Sequence, residues 1–277
     1  MWKRRERERV LRVLQTNVGT ARLAHDLAVV SAIEKEIDNL IAAEPNPTLV
    51  RSREWFVDTS GVVGVQILNR KLRVHGIDTH QGFVTIRVVG VNVVGCYISP
   101  NCTVENYESR LDEIMNEVRL LGMGRECVVL GDFKSKATEW DYPRTDARGQ
   151  MLMEWIGTLD LVVLSNGREA TFVRGNSHLY IDVTCATQNA ARKIRDWTVL
   201  PDDTATEHRY IGFSIVGVGT TNVESSANQT GSRGGDRTDW LAFDKYSRWL
   251  IEGRRCQPLS AEGLESIIRE TMRIVPG

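Results

Sequence analysis

The sequence lacks an excess of either charge. Its 35 Lys and Arg residues are matched by 36 Asp and Glu residues, for a formal net charge of −1 over 277 residues. Because proteins that coat DNA non-specifically do so with an excess of basic residues, this balance excludes that class. It remains compatible with a local basic rim on an enzyme that also holds a divalent cation with carboxylates.

Paired cysteines are also missing, since the five cysteines are odd in number and form no CxxC pair. Four of them lie in or beside apolar, strand-like runs. We therefore expect reduced thiols in an intracellular protein rather than disulfides or a zinc site. The cysteines are Cys96, Cys102, Cys127, Cys185 and Cys256.

Long hydrophobic runs are absent. No apolar stretch approaches the ~18 residues of a membrane span, and the charged residues 1–9 lack the apolar centre of a secretory signal. We expect a solvated N-terminal arm and no membrane partner. The composition, 42% hydrophobic and 26% charged, is that of a globular protein with a sizeable core.

The most informative stretch is an apolar run that ends abruptly in Gly131 and Asp132. Val128, Val129 and Leu130 are typical of a strand buried on both faces. A carboxylate placed directly after such a strand lies at its carboxyl end, where α/β sheets build their sites. Asp132 is therefore a candidate catalytic residue, and a solvated turn aspartate is the alternative.

Helix and strand patterns alternate along the rest of residues 10–218. Residues 10–14 predict a strand ending at Asn17, and a helix with Leu23, Leu27 and Val30 on its apolar face follows. Residues 40–43 predict a second strand ending in Glu44. Residues 62–68, 83–88 and 91–98 predict an antiparallel meander.

Two further helices are expected, at residues 104–121 with Thr103 as the cap and at residues 148–159. Strands at 127–132, 161–164, 180–186, 197–200 and 210–218 complete the pattern. Strands outnumber helices, which predicts an α/β fold of two sheets packed face to face and flanked by helices. Residues 219–238 read as a flexible linker and residues 239–277 as a helical fragment.

Polar residues recur at the predicted strand ends. Each alone is more often a cap or a turn residue, but together they supply what phosphodiester cleavage needs: ligands for a divalent ion, a group that orients water, and donors that stabilise negative charge. The residues are Asn17, Glu44, Tyr97, Asp132, Asp182, Glu207 and His208.

The motifs around these residues carry a family resemblance. QTN, AAEP, CYISPNCT, VVLGDFKSK, RTDARG, YIDVT and TEHRYI resemble, in order, the endonuclease/exonuclease/phosphatase superfamily, whose fold is that of DNase I. The phrases YISPNCT, LVVLSNG, IRDWTVL and EHRYI resemble the endonuclease domain of insect site-specific non-LTR (LINE-type) retrotransposons. The resemblance spans residues 10–218.

The resemblance implies a nuclease that uses Mg²⁺, with Mn²⁺ as an alternative, to nick double-stranded DNA and prime reverse transcription in the nucleus. Its other partners would be the element RNA and a reverse transcriptase, which residues 239–277 would precede. Two other readings stay open: a degenerate or co-opted fragment that binds DNA with little catalysis, and a phosphoinositide or sphingomyelin phosphodiesterase on the same fold.

On the metal side, the resemblance implies that Glu44 binds the ion, that Asn17 lies near the metal and the phosphate, and that Glu207 lies toward the metal. Glu207 stands where the family has Asp, which keeps the charge.

On the phosphate side, the resemblance implies that Asp132 positions or deprotonates water and that Tyr97 hydrogen-bonds the phosphate. Asp182 would orient His208, whose imidazolium would stabilise the transition state. Lys134 stands where the family has Asn. Because Lys offers donors and no acceptor, we expect it to weaken catalysis.

Residues 168–180 are predicted to form a hairpin between two strand-like runs. We expect four polar residues in it to contact DNA, with an ordinary polar loop as the alternative. These residues are Arg174, Asn176, Ser177 and His178.

Overall fold

The computed structural model describes residues 10–52, 55–121, 126–165 and 167–218. The predicted N-terminal arm (1–9), linker (219–238) and helical fragment (239–277) lie outside these residues. No helix in the described ranges is long and apolar enough to cross a membrane.

The strands, in chain order, are β1 (Val10–Asn17), β2 (Asn39–Ala43), β3 (Trp55–Val57), β4 (Val63–Ile67), β5 (Val74–Thr79), β6 (Phe83–Val88), β7 (Val91–Tyr97), β8 (Cys127–Asp132), β9 (Leu161–Val163), β10 (Phe172–Arg174), β11 (Ser177–Leu179), β12 (Asp182–Thr187), β13 (Ile194–Val199) and β14 (Ile211–Val216). The helices are α1 (Arg22–Glu34), α2 (Pro47–Ser52), α3 (Val104–Leu120), α4 (Ala147–Thr158) and α5 (Gln188–Ala191). A 3-10 helix covers Thr138–Trp140.

Two six-stranded sheets form the fold. The first has the order β13-β14-β1-β2-β4-β3 and the second the order β5-β6-β7-β8-β12-β9, while β10 and β11 form a separate hairpin. Their facing surfaces share a core of Val, Ile and Leu side chains. The predicted two-sheet α/β sandwich is confirmed.

Parallel strand pairs at the centre of each sheet determine where the strand ends meet. In the first sheet β1 runs parallel to β2, so that Asn17 and Ala43 are paired at their ends. In the second, β7 runs parallel to β8, which pairs Tyr97 with Asp132, and antiparallel β12 begins with Asp182 opposite Asp132. Polar residues therefore lie at the carboxyl ends of β1, β7 and β8 and at the start of β12.

Gly131 allows an unusually close approach of β8 to β7. A Cβ atom on Gly131 would lie 2.0 Å from the backbone oxygen of Cys96, a contact that no rearrangement of a side chain could relieve. Val128, Val129 and Leu130 are fully buried beside it, as predicted. The glycine thus sets the position of the next residue, Asp132, at the sheet edge.

Two predictions about the elements are wrong in detail. The strand predicted at residues 62–68 is β4, which pairs with β2 in the first sheet; β5, which was not predicted, pairs with β6 to complete the meander. β-Branched patterns identify a strand but not its neighbour.

The buried face of α1 is the second correction. Its buried residues include three alanines, Ala24, Ala28 and Ala32, whereas Leu23 and Leu27 are only half-buried. Alanines let the helix lie close to its sheet, so the larger side chains flank the contact.

Candidate active site

Asn17, the last residue of β1, links the two sheets at their common edge. Its Nδ2 donates to Glu44 Oε2 at 2.8 Å and to Asp132 Oδ2 at 3.0 Å. Its Oδ1 accepts from the Gly19 backbone N–H at 2.8 Å. Asn17 is almost fully buried, so both of its polar atoms are satisfied within the protein. The amide holds the two carboxylates at a fixed separation.

Glu44 follows β2 in a left-handed backbone conformation, with φ of +46°. Non-glycine residues adopt this region rarely, and such strain concentrates at functional sites. Two backbone hydrogen bonds hold it: Glu44 N–H to Val62 O and Thr20 N–H to Glu44 O, each 2.8 Å long. The turn directs a half-buried carboxylate toward Asn17.

Tyr97 ends β7 beside Glu44. Burial and the nearby Glu44 carboxylate, which the phenol hydrogen-bonds, raise the pKa of Tyr97 well above its ordinary value. The hydroxyl therefore stays protonated at any physiological pH and remains a hydrogen-bond donor.

Asp132, at the end of β8, is the centre of the cluster and is 0% exposed. Its Oδ2 lies 3.0 Å from Asn17 Nδ2, 2.7 Å from Lys134 Nζ and 3.6 Å from His208 Nε2. Burial and the neighbouring Asp182 raise the pKa of Asp132 to about 6, against the opposite effect of His208 and Lys134. At neutral pH the Asp132 carboxyl is therefore mostly ionised. A general base works best when its pKa lies near the operating pH, as this one does.

His208 is held between two carboxylates. Its Nδ1 lies 3.0 Å from Asp182 Oδ2, and its Nε2 faces Asp132. The ring of Phe172 packs edge-on against the imidazole, with centroids 4.9 Å apart. Burial lowers the pKa of His208, but Asp182 and Asp132 outweigh it, so the pKa is raised above its ordinary value. The imidazolium is thereby favoured.

Lys134 extends into the same cluster. Its Nζ lies 2.7 Å from Asp132 Oδ2 and 3.2 Å from His208 Nε2, and its side chain is 16% exposed. Its backbone has a φ of +48°, a region in which Asn is several-fold more common than Lys. This left-handed position thus carries a partly buried ammonium.

The Glu207 side chain is directed toward Arg174. Its carboxylate lies 3.9 Å from Arg174 Nε, and its side chain is 51% exposed. Arg174 belongs to the β10–β11 hairpin, so the hairpin predicted at residues 168–180 is confirmed as a strand pair. Asn176, Ser177 and His178 are all exposed on it.

Comparisons with known proteins agree with this arrangement. Residues 91–212 match the family model described as "Endonuclease-reverse transcriptase". The fold is similar to the endonuclease domain of TRAS1, a telomere-specific non-LTR retrotransposon, with 28% identity and a TM-score of 0.66 over 75% of this chain and 98% of that chain. These comparisons support a retrotransposon-type endonuclease of the endonuclease/exonuclease/phosphatase superfamily.

A second solved structure resembles this endonuclease in fold. It is an AP endonuclease from Archaeoglobus fulgidus, at 14% identity and a TM-score of 0.59 over 73% of this chain and 98% of that chain. A search of curated protein sequences finds no match.

Sequence reasoning missed three residues that support the endonuclease site. Thr171 Oγ1 accepts from the Asp182 backbone N–H at 3.2 Å. Thr206 Oγ1 lies 3.2 Å from the backbone oxygens of both Asn17 and His208. Phe172 packs on the imidazole. Threonines that bond backbone atoms leave no sequence pattern, although the position of Thr206 beside the Glu-His pair was a usable signal.

The donor set of this endonuclease fits a divalent cation. The site contains three carboxylates (Glu44, Asp132 and Asp182), one ammonium and one imidazole, so negative charge is in excess. Ligand atoms of Asp132, Asp182 and His208 lie within 4.8 Å of one another. Oxygen ligands of this kind suit Mg²⁺ or Mn²⁺.

Proposed function

We propose that this endonuclease depends on a divalent metal, with Mg²⁺ as the cofactor, and nicks one strand of double-stranded DNA to leave a 3′-hydroxyl that primes reverse transcription. The observation that supports this most directly is the continuous set of contacts from Glu44 through Asn17 and Asp132 to His208 and Asp182. It supports the proposal because a carboxylate that could hold the ion, an acceptor for water and a charged donor are joined by contacts of 2.8 to 3.6 Å.

Glu44 would hold the ion, with Asn17 and Glu207 near it. When bound, the ion supplies Lewis-acid polarisation of the phosphate. Asn17 fixes Glu44 and Asp132 relative to each other through its amide hydrogens. Glu207 would need to leave Arg174 to approach the ion, and the exposed ion pair between them, worth less than ~1 kcal/mol, allows this.

Asp132 would accept a hydrogen bond or a proton from the attacking water, because it is ionised above its pKa of about 6. Asp182 holds His208 by its Nδ1, which leaves Nε2 to donate to the phosphate as charge develops. The Tyr97 hydroxyl would donate a further hydrogen bond to a phosphate oxygen. Together they stabilise the pentavalent transition state without moving far.

The exposed hairpin residues Arg174, Asn176, Ser177 and His178 would contact DNA. Arg174 is 77% exposed, and the hairpin lies directly beside the Glu207-His208 pair. In the intact element, the reverse transcriptase and element RNA would use the nick in the nucleus.

A second function is favoured by one observation, the Lys134 ammonium inside the cluster. It could retain DNA by neutralising phosphate while weakening hydrolysis. The chain would then bind DNA with little catalysis.

A supercoiled-plasmid assay separates the two functions. We expect Mg²⁺-dependent conversion to the open circle, loss of the reaction in EDTA, and loss in Asp132→Asn. Extension of the nicked product by a DNA polymerase tests for the 3′-hydroxyl. DNA binding without nicking would support the second function, and nicking in EDTA would contradict metal dependence.

A further inference from the structure

The Lys134 ammonium occupies a position with the features of a cation site. Asp132 Oδ2 and His208 Nε2 lie 3.6 Å apart, which a metal ion could bridge at ordinary ligand distances of about 2.0–2.2 Å. Lys134 Nζ lies 2.7 Å and 3.2 Å from the same two atoms. The ammonium and an ion would thus compete for the same two ligand atoms.

Negative charge in this part of the cluster is already partly neutralised. The Lys134 ammonium lies 2.7 Å from Asp132 Oδ2, the carboxylate oxygen that an ion would need. A divalent ion here would meet a resident cation within hydrogen-bond distance of its own ligands, which in a buried site costs far more than at a surface.

Glu44 differs from Asp132 in this respect. Among the described residues, the contacts of its carboxylate are with the Asn17 amide and the Tyr97 hydroxyl, both neutral groups. Its negative charge is therefore not neutralised by a neighbouring cation, and it is half-buried rather than enclosed. This is the position at which a divalent ion gains most.

We propose that the Lys134 ammonium fills the place of a second cation, so that this endonuclease binds one divalent ion, at Glu44, where a neutral side chain at position 134 would admit two. The inference rests on the proposed metal-dependent function. It gives Lys134 a structural role: its ammonium is a covalently attached monovalent cation that takes the place of an exchangeable metal ion.

Counting bound Mn²⁺ on the full-length chain by electron paramagnetic resonance tests the proposal without measuring activity. We expect one ion per wild-type chain and two per Lys134→Met chain. Lys136→Met is the matched control, because Lys136 Nζ lies over the Tyr142 ring at 5.0 Å and not in the cluster. It should bind one ion, as wild type does.

Glu44→Gln locates the ions. We expect it to remove the single ion of wild type and to leave one ion in the Lys134→Met background. Mn²⁺ should also raise the melting temperature of Lys134→Met more than that of wild type, because a second bound ion adds to native-state stability. Lys134→Asn serves as a second neutral variant, with circular dichroism as the check of folding.

Two ions in wild type, or one ion in both folded neutral variants, would overturn the inference and leave the proposed function intact. No ion in wild type would overturn the inference too. In that case a reaction insensitive to EDTA in the plasmid assay would show that the metal-dependent function itself has failed.

Discussion

Replacing Lys134 with the family's Asn should increase nicking. Asn offers both a donor and an acceptor without a charge, and it tolerates the left-handed backbone at this position better than Lys does. Because one preorganised transition-state contact is typically worth ~10²-fold to ~10³-fold in turnover, we expect a gain of that size in Lys134→Asn. The initial nicking rate at saturating Mg²⁺ measures it.

Glu207→Asp is the companion variant and should add less, since the charge is unchanged and only one methylene is lost. A Lys134→Asn protein that nicks no faster than wild type would show that this lysine does not limit catalysis. Equal DNA affinity in both proteins would confine the effect to the chemical step.

Nicking should fall as the pH is lowered through about 6. Asp132 has its pKa raised to about 6, so below that value it becomes protonated and loses its ability to accept from water. The raised pKa of His208 keeps the imidazolium populated to higher pH than usual, so activity declines again on the alkaline side. A pH profile of kcat/KM measures both limbs.

Tyr97→Phe is the control for the acidic limb. The Tyr97 pKa is raised well above this range, so its loss should lower the rate by the same factor at every pH and leave the limb in place. A profile that is flat between pH 5 and 8 would contradict the assignment of Asp132.

The residues of the site could be predicted to the extent that topology forces them together. Asn17 and Asp132 end buried strands and Glu44 follows one. Because parallel strands end at one edge, the sequence predicts that Asn17 meets Glu44 within one sheet and that Tyr97 meets Asp132 within the other. The bridge that Asn17 makes between carboxylates of different sheets depends on the distance between the sheets, which no sequence pattern encodes. The direction of the Glu207 side chain, toward Arg174, likewise depends on the conformation of the β10–β11 hairpin.

At the scale of elements, the close approach of β8 to β7 should make Gly131 irreplaceable. In Gly131→Ala the new Cβ would meet the Cys96 backbone oxygen, and the central strands cannot separate without breaking their hydrogen bonds. Overpacking of this kind costs about 3 kcal/mol or more of unfolding free energy. Urea unfolding measures it.

Gly157→Ala provides the contrast. Gly157 lies in α4 with nothing within 4 Å of its would-be Cβ, so alanine should stabilise the protein by ~0.5–1 kcal/mol. If Gly131→Ala were as stable as Gly157→Ala, the inferred contact between β7 and β8 would be wrong.

The β10–β11 hairpin should determine where the DNA is nicked. Its exposed tip can be exchanged for that of a relative at residues 174–178, leaving Phe172 against His208. Backbone hydrogen bonds of 2.8 Å from Val173 N–H to Glu207 O and from Arg209 N–H to Thr171 O anchor the hairpin's base. We expect the preferred nick site to move while the nicking rate is retained, as mapped by primer extension on nicked plasmid.

Phe172→Ala tests the base of the hairpin separately from its tip. It removes the ring that packs on His208, so it should slow nicking and leave the preferred site unchanged. The same nick pattern before and after the tip exchange would mean that other surfaces select the target.

Strand identity could be read from the sequence more easily than strand partners. The β-branched runs predicted β4, β6 and β7, yet β4 lies in the other sheet, because the more polar β5 takes its expected place beside β6. β5 contains His75, Gly76 and Asp78, which interrupt the apolar alternation that marks a strand. An edge position, paired on one side, tolerates this composition.

At the scale of the whole molecule, the geometry of the site depends on how the two sheets pack against each other. Glu44 and Asn17 come from the first sheet, Asp132 and Asp182 from the second, and close contacts such as Gly95 against Ile41 set the separation between them. A change anywhere in this interface would alter the distance that Asn17 spans. Catalysis and folding therefore depend on the same core.

The last prediction is that the endonuclease needs no residue beyond 218. β1 and β14 pair antiparallel in the middle of the first sheet, with Val10 opposite Val216, so the first and last strands of the described residues lie side by side. The similarity to the TRAS1 endonuclease domain likewise covers 98% of that chain and 75% of this one. We expect a chain ending at residue 218 to unfold in one cooperative transition at the full-length melting temperature and to nick plasmid at the full-length rate. A chain ending at residue 210 loses β14, which leaves Leu11 and Val13 without their neighbours, and should not fold. If the 218-residue chain melted several degrees lower or lost activity, residues beyond 218 would have to contribute to the domain.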